Sequence, residues 1–292
     1  MNSLLDALKS LEFVEALCNP DLNLTRHALW AGLLASVPLG IIGTYVVTRR
    51  ITYIAGAISH CVLGGIGAGL FLQFNLGLSW FHPMYGAVAV ALLAAIVIGL
   101  VSLYARQRED TVIGAIWAVG MAVGLLLINK TPVYSDLMSY LFGSILLVSE
   151  QDLWTVAGLG VVVLVVGVLF HHKFLAVCFD EEFTELRGVR VKFYYLLLLC
   201  LTALTVVLLV RVVGIVLVIA LLTLPAAVAG HFSRRMWQMM VLAVFFCAAF
   251  IVAGLAVSYS PNLLPEPTII VIAGAAYLVV VVGSRVLRRG NA

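Results

Sequence analysis

Runs of about twenty predominantly apolar residues, each closed by a short polar or glycine-rich break, recur from residue 27 to residue 285. A helix of that length crosses the hydrocarbon core of a bilayer, where only helices or closed barrels satisfy their own backbone. The pattern predicts spans over 27–48, 51–72, 83–105, 112–129, 152–170, 193–210, 212–230, 238–258 and 267–285. From 193 to 230 the run is too long for one span, yet only Arg211 and Gly214 interrupt it, so eight or nine spans both satisfy the pattern. Segment 133–149 is apolar but short and broken by Gly143; it reads as a re-entrant or surface helix. Ahead of the first span, Leu4, Leu5, Leu8, Leu11 and Val14 recur among Asp6, Glu12 and Glu15, as in a short amphipathic helix lying at the interface. The expected architecture is an all-α integral membrane protein. It is a polytopic helical bundle in one domain over 1–292, with an interfacial segment 1–26 and a loop 171–192 outside the bilayer.

Composition agrees: 63% of the 292 residues are hydrophobic and 11% charged, against about 25% charged in a soluble domain. The net charge of +3 is small and forms no basic stripe for nucleic acid. Its distribution orients the chain. With nine spans, thirteen of the seventeen Lys and Arg residues, including Arg49, Arg50, Arg106, Arg108, Arg234 and Arg235, fall on one side, which is therefore cytoplasmic. Lys9, Arg26, Lys130 and Arg211 fall on the other. The first twenty residues lack a basic start followed by an apolar core, so no cleaved signal peptide is expected. Cys18, Cys61, Cys178, Cys200 and Cys247 form no CxxC pair and read as small apolar fillers.

Two stretches carry candidate chemistry. In the second span, Gly56, His60 and Gly64 fall at i, i+4 and i+8, so an ionisable side chain at membrane depth shares a stripe with glycines. That stripe faces protein or a cavity and not lipid, and His60 either hydrogen-bonds a neighbouring helix or lines a transport path. In the loop 171–192, Asp180 can cap a short helix with Glu181 and Glu182 in its first turn, and Gly188 can end it in the left-handed conformation. Phe179, Phe183 and Leu186 give that helix an apolar face outside the bilayer. Two turns cannot stand alone in water, so the helix must dock on the protein, on lipid or on a partner. Its mixed charges argue against anionic lipid.

Enzyme signatures are missing. The sequence has no HExxH, no GxSxG and no G-x-x-x-x-G-K-[ST], so it hydrolyses no nucleotide by those devices. A secondary transporter would be expected to bury charged couplers in broken helices, and no acid stands at the centre of a span. A membrane scaffold or accessory protein, in which the glycine stripe is packing only, is the other alternative.

Five phrases occur in order: GIIGTYVVTRRITYIAGAISHCVLGGIGAG, EDTVIGAIWAVGMAVGLLLI from Glu109, SDLMSYLFGSILLVS from Ser135, LRGVRV in the loop, and RVVGIVLVIALLTLPAAVAG from Arg211. From Ala28 to Leu287 the chain resembles the membrane permease subunits of ATP-binding-cassette importers for transition metals. The resemblance implies the type II importer fold in a bacterial cell membrane, with a homodimer around a central path. It also implies an ATPase dimer on the cytoplasmic face and an extracytoplasmic metal-binding protein that delivers zinc, manganese or iron. No permanent cofactor is implied, since the divalent ion is cargo. The helix at Asp180 looks like the coupling helix that contacts the ATPase, with Phe179, Asp180, Glu181, Phe183, Leu186, Arg187 and Gly188 as contact residues. His60 matches the histidine of the family's Ser-His phrase and is the candidate metal contact. Many relatives carry an acid four residues before that histidine and Leu-Pro-Gly after it; Gly56 and Leu63, Gly64, Gly65 stand here, so no carboxylate ligand carries over. Glu266 reads as a helix-start carboxylate, with an entry-side acid as the alternative, and His82, His171, His172 and His231 read as interfacial, with metal contact as the alternative.

Overall fold

The computed structural model describes residues 23–78, 80–104, 109–132, 143–259 and 263–290. The predicted amphipathic helix at the N-terminus and residues 133–142 of the predicted re-entrant segment lie outside them. Every regular element among the described residues is helical: α1 Asn23–Arg49, α2 Thr52–Asn75, α3 Pro83–Tyr104, α4 Glu109–Asn129, a 3-10 turn Ile145–Leu147, α5 Glu150–Leu169, α6 His171–Phe179, α7 Glu181–Leu186, α8 Val191–Val213, α9 Ile215–Phe232, α10 Met236–Tyr259 and α11 Pro265–Gly290. Among these residues nine helices are long and apolar enough to cross a membrane. They coincide with the predicted spans to within a few residues.

The break that the sequence left open between 193 and 230 is a single residue. Gly214, at φ 81 and ψ 163, separates α8 from α9. A side chain is strongly disfavoured at that φ, so one glycine does what a Pro or Asn-Gly turn does elsewhere. The loop 171–192 also holds a helix that the pattern hid. HHKFLAVCF continues the apolar run of α5, but the chain breaks at Phe170, and α6 buries Phe174, Val177 and Cys178.

The chain divides into two compact units, with boundaries inside α1, α5 and α8. One comprises 1–44, 142–164 and 212–292. Within it α9, α10 and α11 pack on one another, and α1 lies against α9 and α10 through glycines. A Cβ at Gly43 would stand 2.1 Å from the Leu222 carbonyl oxygen, and one at Gly40 2.6 Å from the Val244 nitrogen. With no hydrophobic driving force between helices in lipid, such close backbone approach supplies the packing. Buried Glu266, in the first turn of α11, accepts the Ile145 N–H at 2.7 Å, so this carboxylate ties the 3-10 turn to a helix start.

The other unit comprises 45–141 and 165–211. Its centre is α2, most of whose residues from Ile54 to Leu70 are buried. On one side Gly65 meets Gly86 and Gly69 meets Pro83 of α3; on the other Gly64 meets Gly120 and Gly67 meets Gly124 of α4. Gly99 of α3 accepts the side chains of Leu196 and Leu199 from α8. Near the predicted outer interface Trp80, Phe81, His82 and Tyr85 stack edge to face, as expected of an aromatic belt.

Candidate functional site

The glycine stripe of α2 turns toward protein, as its spacing requires. A Cβ on Gly64 would lie 2.6 Å from the Gly120 carbonyl oxygen, so the two backbones touch there. One turn before Gly64, the same face carries His60. Its ring lies flat on the Trp117 indole, with centroids 4.5 Å apart and 14° between planes. Tyr53 approaches Trp117 as well, at 5.8 Å and 47°. Neighbouring Ser59 is buried and satisfied, donating to the Ala55 carbonyl at 2.8 Å. His60 is not: Nδ1 is buried and has no hydrogen-bond partner among the described residues. A buried polar atom left unpaired costs about 1–3 kcal/mol. Among the described residues His60 Nδ1 thus finds no hydrogen bond to a neighbouring helix. Among the described residues no group of three or more His, Cys, Asp and Glu converges as a metal cage.

Trp117 did not stand out in the sequence, although a signal was present. Gly120 and Gly124 of α4 form a small-xxx-small pair, the usual mark of a close helix contact, and Trp117 lies one turn before Gly120.

The second candidate site is the short helix α7. Asp180 caps it, its side chain accepting the Phe183 N–H at 2.9 Å. Gly188, at φ 74, ends it. Gly188 N–H donates to Glu185 O and Val189 N–H to Thr184 O, which is the Schellman pattern. One side of the helix is held from behind: Thr184 is buried, and Glu181 pairs with Arg49 at the end of α1. The other side is open. Phe179, Phe183 and Leu186 are 71%, 51% and 86% exposed, and the Arg187 guanidinium lies 4.6 Å over the Phe183 ring. Three large apolar side chains thus project from a segment that belongs to no span.

Residues that the charge pattern put on one side meet in space. A cavity of about 330 Å³ is lined by Arg49, Arg50, Tyr53, Ser102, Asp110 and Glu181, drawn from the α1–α2 turn, the end of α3, the start of α4 and α7. On the opposite side by the same rule, Asn75 donates to the Lys130 carbonyl at 3.1 Å. The remaining histidines lie at helix ends: His82 Nδ1 accepts from Met84 N–H at 3.2 Å, and exposed His231 lies 2.9 Å from the Ala227 carbonyl. His171, half-buried at the start of α6, bonds Tyr45. Burial and then neighbouring His172 lower its pKa below the ordinary histidine value, while burial pushes the Cys178 thiol up to about 12.

Among the described residues, nine helices long and apolar enough to cross a membrane, with a short capped helix outside them, define a multi-pass helical membrane protein. The sequence model of the ABC 3 transport family matches residues 21–284. The chain is similar to a probable metal transport system membrane protein of Chlamydia pneumoniae, 42% identical over 85% of this chain and 84% of that one. It is also similar to the manganese import system permease protein ScaB of Streptococcus parasanguinis, 33% identical over 92% of each. Among solved structures it matches PsaBC from Streptococcus pneumoniae in complex with Fab, with a TM-score of 0.81, 31% identity and coverage of 92% of this chain and 94% of that one. The chain belongs to the ABC 3 transport family, and it is a multi-pass protein of the bacterial cytoplasmic membrane.

Proposed function

We propose that the chain is the permease half of a divalent-metal importer whose energy comes from a separate ATPase docked on α7. The observation that carries this reading is the apolar face presented by the end of α6 and by α7: Phe179, Phe183 and Leu186 project outward while buried Thr184 anchors α7 from behind. A docked partner would remove that apolar surface from water, and ATP hydrolysis must then occur on the partner because the chain has no phosphate loop. Manganese is the cargo best supported by the relatives, four of which are named as manganese systems. Zinc and iron share the preference for imidazole. His60, with its unpartnered Nδ1, is the residue assigned to touch the ion in passing. A single weak contact suits a path that must also release its ion. The assembly proposed is two permeases and two ATPases, supplied by a metal-binding protein outside the cell.

Phe183→Asp tests the docking. The variant is expected to reach the membrane at the wild-type level and to lose the ATPase on purification. A stoichiometric ATPase retained with the variant would remove α7 from the docking role.

A further inference from the structure

Tyr45 and Arg49 stand one helical turn apart at the end of α1, and each holds a different short helix outside the spans. Tyr45 is fully buried. Its hydroxyl lies 3.0 Å from His171 Nδ1 at the start of α6, and its ring meets Phe174 of α6 edge-on at 5.3 Å. Arg49 pairs with Glu181 in the first turn of α7 and stands 5.4 Å over the Tyr195 ring of α8. Tyr195 in turn donates to Ser102 Oγ of α3 at 3.1 Å. The presence of α7 does not require this arrangement, because Thr184, the Asp180 cap and the Gly188 stop already hold it as a helix. Apolar packing lets one helix slide on another, whereas directional polar bonds fix one register. Two such bonds, spaced one turn apart, lock α6 and α7 to the end of α1 against both translation and rotation.

We propose that Tyr45 and Arg49 form a two-point clasp that passes displacement of α6 and α7 to α1, making them positioning residues for the coupling of ATP hydrolysis to transport. The inference rests on the reading of α7 as the ATPase dock. Neither residue belongs to the exposed face, so ATPase binding should survive their replacement. What should fail is the transfer of motion.

The test measures ATP hydrolysis and manganese uptake in the same proteoliposomes, holding the complete permease–ATPase complex as wild type, Tyr45→Phe, Arg49→Gln or Arg49→Lys. Tyr45→Phe and Arg49→Gln are expected to carry the wild-type amount of ATPase and to go on hydrolysing ATP, while ions moved per ATP fall about fivefold or more, the lower end of typical coupling between sites. Arg49→Lys keeps the charge and should recover part of that ratio. A wild-type ratio in both Tyr45→Phe and Arg49→Gln overturns the clasp. So does a parallel fall in assembled complex, hydrolysis and uptake at constant ratio, which is the signature of a purely structural role. Tyr45→Phe keeps the buried ring and remains decisive where Arg49→Gln does not assemble. Wild-type vesicles without ATP-dependent uptake would instead sink the docking reading on which the clasp rests.

Discussion

His60 shares its face of α2 with glycines that touch α4, and its own ring lies on Trp117 with Nδ1 unpaired. If stacking were its only task, an amide of similar size would serve nearly as well. If it holds a passing ion, the amide is a poor ligand. His60→Gln is therefore expected to assemble normally and to lose manganese uptake by about tenfold, equivalent to about 1.4 kcal/mol of transient binding. Undiminished uptake in correctly assembled vesicles would return the residue to packing. His171 gives a prediction of opposite character, on stability. Burial, with His172 second, lowers its pKa, so the folded chain favours the neutral ring that bonds Tyr45. Because the folded pKa is the lower one, this contribution is complete above the unfolded value of about 6.5 and is lost as pH falls through the folded value. Melting curves of wild type and His171→Gln in detergent should converge on acidification, and a gap that widens instead would contradict that sign. At this scale the sequence was half legible. Periodicity turned His60 away from lipid, but only three-dimensional packing could bring Trp117 beneath it from 57 positions along the chain.

Between elements the strongest constraint is backbone against backbone. Gly64 and Gly67 of α2 meet Gly120 and Gly124 of α4 so closely that a Cβ at Gly64 would lie 2.6 Å from a carbonyl oxygen. Backbone cannot swing aside as a side chain can. Gly124→Val, whose Cβ would stand 2.6 Å from the Leu63 carbonyl, is expected to destabilise the fold by about 1–3 kcal/mol, the usual range for overpacking, and to lower the melting temperature in detergent. Gly158→Ala, where a Cβ meets open space, should leave it unchanged. Equal melting of the two variants would show that α2 and α4 are not in this contact. Helix existence was readable because twenty apolar residues in a row have few alternatives. The Gly214 break was not, because a lone glycine carries no turn signature until its φ is known. Helix α6 was missed for a related reason: its buried residues prolong the apolar pattern of α5 beyond the actual end of the span. The cap and stop of α7 were fully legible, since Asp180 and Gly188 act through local geometry alone.

For the whole molecule, the charge pattern and the nine candidate spans among the described residues predict opposite sides for the α2–α3 and α9–α10 connections. Single cysteines at Asn75 and Arg235, both exposed, should react with impermeant reagents from outside and from the cytoplasm respectively. Labelling of both from one side would overturn the topology. The central claim is that this chain conducts a divalent metal only when a partner bound at α7 hydrolyses ATP. It is tested most directly by manganese uptake into vesicles holding the permease and its ATPase, with ATP present or absent, for wild type and Phe183→Asp. The account predicts ATP-dependent uptake by the wild type and none above background by the variant. Uptake by wild type without ATP, or equal ATP-driven uptake by Phe183→Asp, would contradict it.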